Sequence, residues 1–293
     1  LYSPAVDPMR LYLQLFLFAY PVAALKVTVL GGSGFVGSRC CKALVEKGVS
    51  VTSVSTSGAA PDWCAGQEWA QSVEWRKNEL TRGSRESVAE AIGSPDAVVS
   101  AVGAIGFDRQ GLLLGNGVAN VEAARAAVAA GAKRYVYIGV ASEVADARDW
   151  LPGFFAGYFD GKADAEAAIA DGFEGASTFV RPSFIYGGDS FGLFPPRVSA
   201  GYGSAVEELL SFPPLEALAN VLPGLLKVAL RPPVSVEAVA GAAAAAAQGE
   251  VSEPVLEGVT AINAAAGAEP GKGLSEMLGA LKGKVSELAA AEE

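Results

Sequence analysis

Histidine does not occur anywhere in this chain of 293 residues. Its absence removes the commonest general base and the commonest metal ligand together. Cysteine is scarce, with only Cys40, Cys41 and Cys64. Two of the three are adjacent, and no C-x-x-C spacing exists. A metal site and a disulfide framework are therefore not expected, and the free thiols suit a reducing compartment. Charge is sparse too, at 18% of residues, and the formal net charge is −10. No stripe of Lys and Arg is visible, so no nucleic-acid partner is expected. What the chain has in quantity is apolar surface, at 51% of residues, enough to bury a sizeable core.

The start of the chain is apolar. Met9 and Arg10 precede "LYLQLFLFAYPVAAL" (residues 11–25), which has the outline of a secretion signal. Gln14 and Pro21 interrupt it, and it falls short of the about 20 apolar residues that cross a bilayer. We read residues 1–25 as an apolar arm, packed either on its own domain or on a partner protein or membrane surface.

From residue 26 onward, β-branched runs alternate with helical stretches. Strands are expected at 26–30, 49–56, 72–80, 96–103, 133–141 and 176–187. Helices are expected at 37–48, 86–93, 116–132 and 157–172. Short connections between them call for an α/β fold, a Rossmann-like doubly wound parallel sheet with helices on both faces and right-handed crossovers. Beyond residue 190 the chain turns Pro-punctuated and apolar, reading as a small, mostly helical C-terminal cap lobe. An Ala-rich helix (235–249) and a terminal helix (276–293) follow. The expected domains are thus 1–25, 26–190 and 191–293, the last packed on the second.

Between the first strand and helix stands "LGGSGFVG", with Gly31, Gly34 and Gly37 in G-x-x-G-x-x-G spacing. Gly31 permits a sharp turn, Gly34 lets a diphosphate approach bare backbone, and Gly37 lets the helix lie close on the sheet. The helix N-terminus then offers free N–H groups to an anion, with Ser33, Phe35 and Val36 completing the turn. At the end of the second strand a carboxylate would bind the ribose hydroxyls of NAD. That stretch, "SVSTSG", has none. Ser55, Thr56 and Ser57 offer hydroxyls instead, and nothing there repels a 2′-phosphate. The expected cofactor is NADP, with NAD the other form.

Taken together, "LGGSGFVG", "SVSTSG", "DAVVSAVGAIG", "NGVANVEAARAAVAAGAKRYVYIGVAS", "GYFDGKADAEAAI" and "VRPSFIYGG" resemble the atypical short-chain dehydrogenase/reductases. The likeness runs over residues 26–249 and is greatest to a plastid and mitochondrial group of NAD(P)-binding proteins. That group includes chloroplast lipid-droplet-associated members, a coenzyme Q-assembly dehydrogenase-like protein and, more distantly, the NADPH-carrying accessory subunit of respiratory complex I. The resemblance implies that Asn78, Glu79 and Leu80 lie by the adenine, that Ala101, Val102 and Gly103 line the ribose side, and that Pro182 and Ser183 sit by the nicotinamide. Relatives often carry Arg where Thr56 stands.

Tyr158 and Lys162 form Y-x-x-x-K, and residues four apart share one helix face. In active members of the superfamily this Tyr is the general acid/base. The Lys lowers its pKa and holds the nicotinamide ribose, and a Ser or Thr after the fifth strand polarises the substrate carbonyl. Ser142 is the nearest candidate for that last part. Two functions follow from the resemblance. One is an NAD(P)-holding accessory subunit of a plastid or mitochondrial membrane complex, engaged through the apolar arm. The other is an NADPH-dependent reductase of a small apolar carbonyl or quinone-like substrate.

Overall fold

β-Branched runs at the expected places form the sheet of this computed structural model, which describes residues 24–188, 192–193, 196–276, 278–280 and 282. The apolar arm up to residue 23 and the terminal helix beyond residue 282 lie outside the described residues. Strands β1 (Lys26–Leu30), β2 (Ser50–Ser55), β3 (Glu74–Lys77), β4 (Ala97–Ser100), β5 (Arg134–Ile138) and β6 (Ser177–Arg181) alternate with helices. Between the first strands lie α1 (Phe35–Glu46), α2 (Glu68–Gln71), α3 (Arg85–Ile92), α4 (Arg109–Leu113) and α5 (Ala119–Ala129). After β5 come α6 (Ser142–Asp146) and α7 (Ala156–Gly172). The remaining strands are β7 (Ile185–Tyr186), β8 (Gly192–Leu193), β9 (Pro196–Arg197), β10 (Val234–Ser235) and β11 (Val255–Glu257).

The main sheet runs β3-β2-β1-β4-β5-β6-β11, with all neighbours parallel. The chain builds outward from β1 to β3, then returns to the other side of β1 and builds outward again. Helices after β1 and β4 therefore diverge, and a crevice opens at the carboxyl ends of those strands.

Alternation along the strands fills two cores. Val27, Val29, Val99 and Val136 face α1 and the helix α11 (Val236–Gln248), against Cys41, Leu44, Val239 and Ala243. Leu30, Val54, Val98 and Tyr135 face α3, α5 and α7, against Val88, Ala123, Ala127 and Ile169. Each fully buried Val or Leu contributes on the order of 1.5–3 kcal/mol. The Ala-rich helix is buried nearly all round, from Val236 to Ala247. Its small side chains let it lie flat beneath β4 and β5.

Two boundaries differ from the sequence reading. The sixth strand ends at Arg181 and resumes as β7 on a second small sheet with β10, because Pro182 has no N–H to continue the ladder. The long helix begins earlier than residue 116: α4 runs through a π-helical turn at Leu114–Val118 into α5.

The described residues from 196 onward serve two purposes. Helices α8 (Ala200–Leu210), α9 (Pro213–Val221) and α10 (Gly224–Ala229) form the cap. By contrast α11, β11 and α12 (Gly258–Ala266) return to complete the sheet and its cover. The cap is held at both ends. Arg231 donates to Glu143 of α6 at 2.7 Å and to Asn220 at 2.9 Å. Fully buried Glu207 accepts from Tyr186 Oη at 2.6 Å, Asn263 Nδ2 at 3.0 Å and the Gly271 N–H at 3.0 Å. Among the described residues no helix is long and apolar enough to cross a membrane, and no cluster of metal-ligating side chains occurs.

Candidate dinucleotide site

The turn between β1 and α1 depends on bare backbone. Gly31 has φ +76°, in the left-handed region, and a Cβ on it would sit 3.1 Å from Ala101 O. At Gly37 a Cβ would fall 2.2 Å from Gly31 O, so only glycine lets α1 pack this close. Gly32 is as constrained, since its Cβ would meet Ser53 Oγ at 2.2 Å. Gly34 differs: it is exposed, lines the crevice, and a Cβ there would have only Gly31 O, at 3.0 Å, nearby. Gly34 is also the N-cap of α1, with no side-chain cap and no acidic residue in the first turn. The helix thus presents its N-terminal N–H groups and the positive end of its dipole towards the crevice.

The crevice has a volume of about 450 Å³. Its lining gathers Gly31, Ser33 and Gly34 with Ser55, Thr56 and Ser57, with Glu79 and Leu80, and with Ala101, Val102 and Gly103. All of these were expected from the sequence, and the fold brings them to one place. Phe35, Val36 and Gly37 form the helix start behind the lining. At the end of β2, three hydroxyls cluster: Ser33 Oγ lies 2.8 Å from Ser55 Oγ, and Ser57 Oγ donates to Ser33 Oγ at 3.0 Å. Across the crevice Glu79 pairs with Arg82 at 3.4 Å.

Asn78, which the resemblance places with Glu79 and Leu80, lines the crevice; its Nδ2 donates to Ser87 O at 3.1 Å, while its buried Oδ1 accepts no hydrogen bond. Two further residues escaped the sequence reading. Buried Asn116 and Asn120 hold the loop after β4. Asn116 accepts from the Ala104 N–H at 3.2 Å and donates to Ala104 O at 3.0 Å. Asn120 donates to Val102 O at 3.3 Å and accepts from Ser100 Oγ at 2.6 Å. Asn116 lies inside the π-helical turn, a feature common at functional sites. The N-x-x-x-N spacing within a helix was the available signal for this pair.

Tyr158 and Lys162 do share a face of α7. Lys162 is buried, and its Nζ lies 5.9 Å from the Tyr158 ring centre and 4.7 Å from that of Tyr137. Its hydrogen bond goes to Ile138 O, at 2.9 Å. Burial pulls the Lys162 pKa down to about 8, opposed by the Glu166 carboxylate. Burial also pushes the Tyr158 phenol up to about 12, away from neutrality. The ammonium that the superfamily's chemistry needs beside the phenol is here turned to a carbonyl.

The other expected groups are engaged elsewhere. Ser142 gives its hydroxyl to Glu257, which also accepts the Ser142 N–H at 2.9 Å. A Cβ at Gly139, the residue that follows β5, would strike Glu166 Oε1 at 2.6 Å. Glu166 reads in the sequence as a solvated helix position. It is instead largely covered and takes both Nε and Nη2 of Arg181, which also reaches Glu257 at 3.4 Å. Pro182 and Ser183 stand beyond the crevice lining; the Pro182 carbonyl accepts from Ala141 N–H at 3.0 Å, and Ser183 Oγ donates to Pro232 O at 3.1 Å. Cys40, Cys41 and Cys64 are all buried, and burial raises each pKa, which disfavours the thiolate.

The parallel sheet, the glycine turn and the crevice at the point where strand order reverses define a Rossmann-type dinucleotide-binding protein. The bare cradle at Gly34, the uncapped helix start and the unsatisfied Asn78 oxygen fit such a ligand. The chain belongs to the NAD(P)H-binding family, whose model matches residues 31–194, more than half of its length. It is an NAD(P)H-binding protein of Rossmann-like fold. It is 38% identical over 165 residues to the chloroplastic Arabidopsis thaliana protein At1g32220, covering 55% of this chain and 51% of that one. It is 35% identical over 80 residues to MIOREX complex component 2 of Saccharomyces cerevisiae, covering 27% and 28%. The chain thus spans about half, or less, of the curated relatives it matches. Among solved structures the fold is similar to that of Bordetella bronchiseptica WbmG in complex with NAD and UDP. The TM-score is 0.53 at 15% identity, covering 86% of this chain and 82% of that one.

Proposed function

We propose that this protein holds NADP(H) as a structural or regulatory component of an organellar membrane complex, without turning it over. The observation that carries this reading is a contrast within one site. The cradle for the diphosphate is intact, whereas the proton-transfer set beside it is dispersed. Lys162 binds Ile138 O, and Ser142 binds Glu257. The N–H groups at the start of α1 would hold the pyrophosphate. Ser33, Ser55, Thr56 and Ser57 would hold the adenosine ribose, and Glu79, Leu80 and Asn78 the adenine side. The bound dinucleotide supplies a hydride donor or acceptor at its nicotinamide. Gly103, whose Cβ would lie 3.7 Å from Lys162 Nζ, leaves that ammonium room to reach a ribose hydroxyl. Binding to the folded state alone would stabilise the chain by mass action.

Likeness to a chloroplastic protein supports a plastid location, and likeness to a complex component supports the subunit role. A mitochondrial location is the alternative that the second relative keeps open. The reductase reading retains one observation in its favour, the shared face of Tyr158 and Lys162. Binding and turnover measurements on the full chain separate the two. A co-purified or added NADP(H) at one per chain, a raised Tm, and carbonyl or quinone reduction no faster in wild type than in Tyr158→Phe are expected. Reduction that Tyr158→Phe abolishes overturns the proposal in favour of the enzyme.

A further inference from the structure

The end of β2 offers hydroxyls but no cation, so a 2′-phosphate there would lack a counter-charge from the loop itself. Strand register supplies one from the next strand. Ser55 pairs with Lys77 across β2 and β3. Registered residues of parallel strands point to the same face. The neighbouring pair one step out of phase makes that visible, because Thr52 Oγ1 donates to the Glu74 carboxylate at 3.4 Å. Ser53 and Ser55 therefore leave the sheet on the opposite face, and Ser55 Oγ meets Ser33 Oγ of the glycine turn. Lys77 leaves on that same face.

The turn after β2 also lies directly on the Lys77 stem. Gly58 has φ +65°, and a Cβ on it would fall 2.6 Å from the Lys77 Cβ. Any other residue at 58 would push this turn away from Lys77. Lys77 is exposed, and among the described residues no carboxylate or other group engages its ammonium. Its neighbour Arg76, by contrast, is committed to Glu74 at 2.9 Å. Strands lie about 4.8 Å apart, a gap that the flexible four-carbon stem of lysine crosses.

We infer that Lys77, acting from β3, supplies the positive charge for the 2′-phosphate of NADP(H), with Ser33, Ser55 and Ser57 as its hydrogen-bonding partners. This rests on the dinucleotide-holding reading above and goes beyond it by naming the residue that selects the phosphorylated form. The test titrates NADPH and NADH separately into the full-length wild-type chain and into Lys77→Gln, Lys77→Glu and Ser57→Ala, by calorimetry at low and moderate salt. Lys77→Gln should weaken NADPH roughly tenfold, the loss expected for one charge-assisted contact, and leave NADH unchanged. Lys77→Glu should weaken NADPH further, and the salt dependence of NADPH binding should flatten in both variants. Ser57→Ala should weaken NADPH by a smaller factor. NADPH affinity untouched in both Lys77 variants overturns the inference. A wild-type chain that binds NADH as tightly as NADPH overturns it too, while leaving dinucleotide holding intact. A wild-type chain that binds neither removes the parent reading, and a fall in both dinucleotides together would show that Lys77 does not read the phosphate.

Discussion

Replacing Gly34 by Ala separates the fold from the ligand. The backbone at Gly34 has φ −78° and ψ 175°, which any L-residue adopts without strain. An added Cβ would have a single neighbour, Gly31 O at 3.0 Å, so a shift of a few tenths of an ångström relieves it. The expected cost to folding is about 1 kcal/mol, allowing also for the poorer N-cap. That methyl would stand on the crevice lining, above the first turn of α1, where a pyrophosphate must touch backbone. Displacing the pyrophosphate would forfeit one or two charge-assisted hydrogen bonds of about 1.5–3 kcal/mol each. Dinucleotide affinity should then fall by at least about tenfold. Gly37→Ala is the control. Its Cβ would lie 2.2 Å from Gly31 O and 2.9 Å from Gly32 Cα, backbone atoms that no rotamer change moves. That variant should lose about 1–3 kcal/mol of stability, visible as a drop in Tm of several degrees. Thermal unfolding of the free chain and titration with NADPH supply both numbers. Gly34→Ala with near-native Tm and native affinity would refute the claim that the ligand crosses bare backbone there.

Three further outcomes are expected. Lys162 has a folded pKa of about 8 against 10.5 free, so between those values the unfolded chain binds more protons and stability rises with pH. Lys162→Met should remove that rise, about 3 kcal/mol at most, as followed by urea unfolding at pH 7.5 to 10. Glu207→Ala should strand the donors on Tyr186, Asn263 and Gly271 and cost about 3–5 kcal/mol, with early proteolysis in residues 198–233; unaltered cleavage there would contradict its anchoring role. Asn116→Ala should free Ala104 and the loop after β4, costing about 1–3 kcal/mol and raising hydrogen exchange at residues 101–106; a protected loop would show the π-helical turn needs no amide.

Much of the site was legible in the residues themselves, for a physical reason. A strand, a glycine turn and a helix occupy consecutive residues, so their geometry follows from φ/ψ limits and periodicity that neighbours impose on one another. Gly31, Gly34, Gly37 and the hydroxyls of Ser55 and Ser57 could be placed on that basis. Once strands alternate with helices, the parallel sheet is the arrangement that satisfies both faces; residues 79–80 and 101–103, expected only from the family resemblance, come to the same crevice through its strand order.

Partners distant along the chain had no such local trace. Whether Ser142 faced a substrate or a carboxylate depended on Glu257, which arrives on β11, a strand of three residues too short to show any period. Glu166 looked solvated until β6 delivered Arg181 against it. Lys77 reached the turn after β2 only through a register between strands. Sequence alone determined what the backbone does within each unit. Tertiary structure decided which side chains meet, because crossovers juxtapose atoms whose attraction, over a few ångströms, leaves no pattern in the residues on either side.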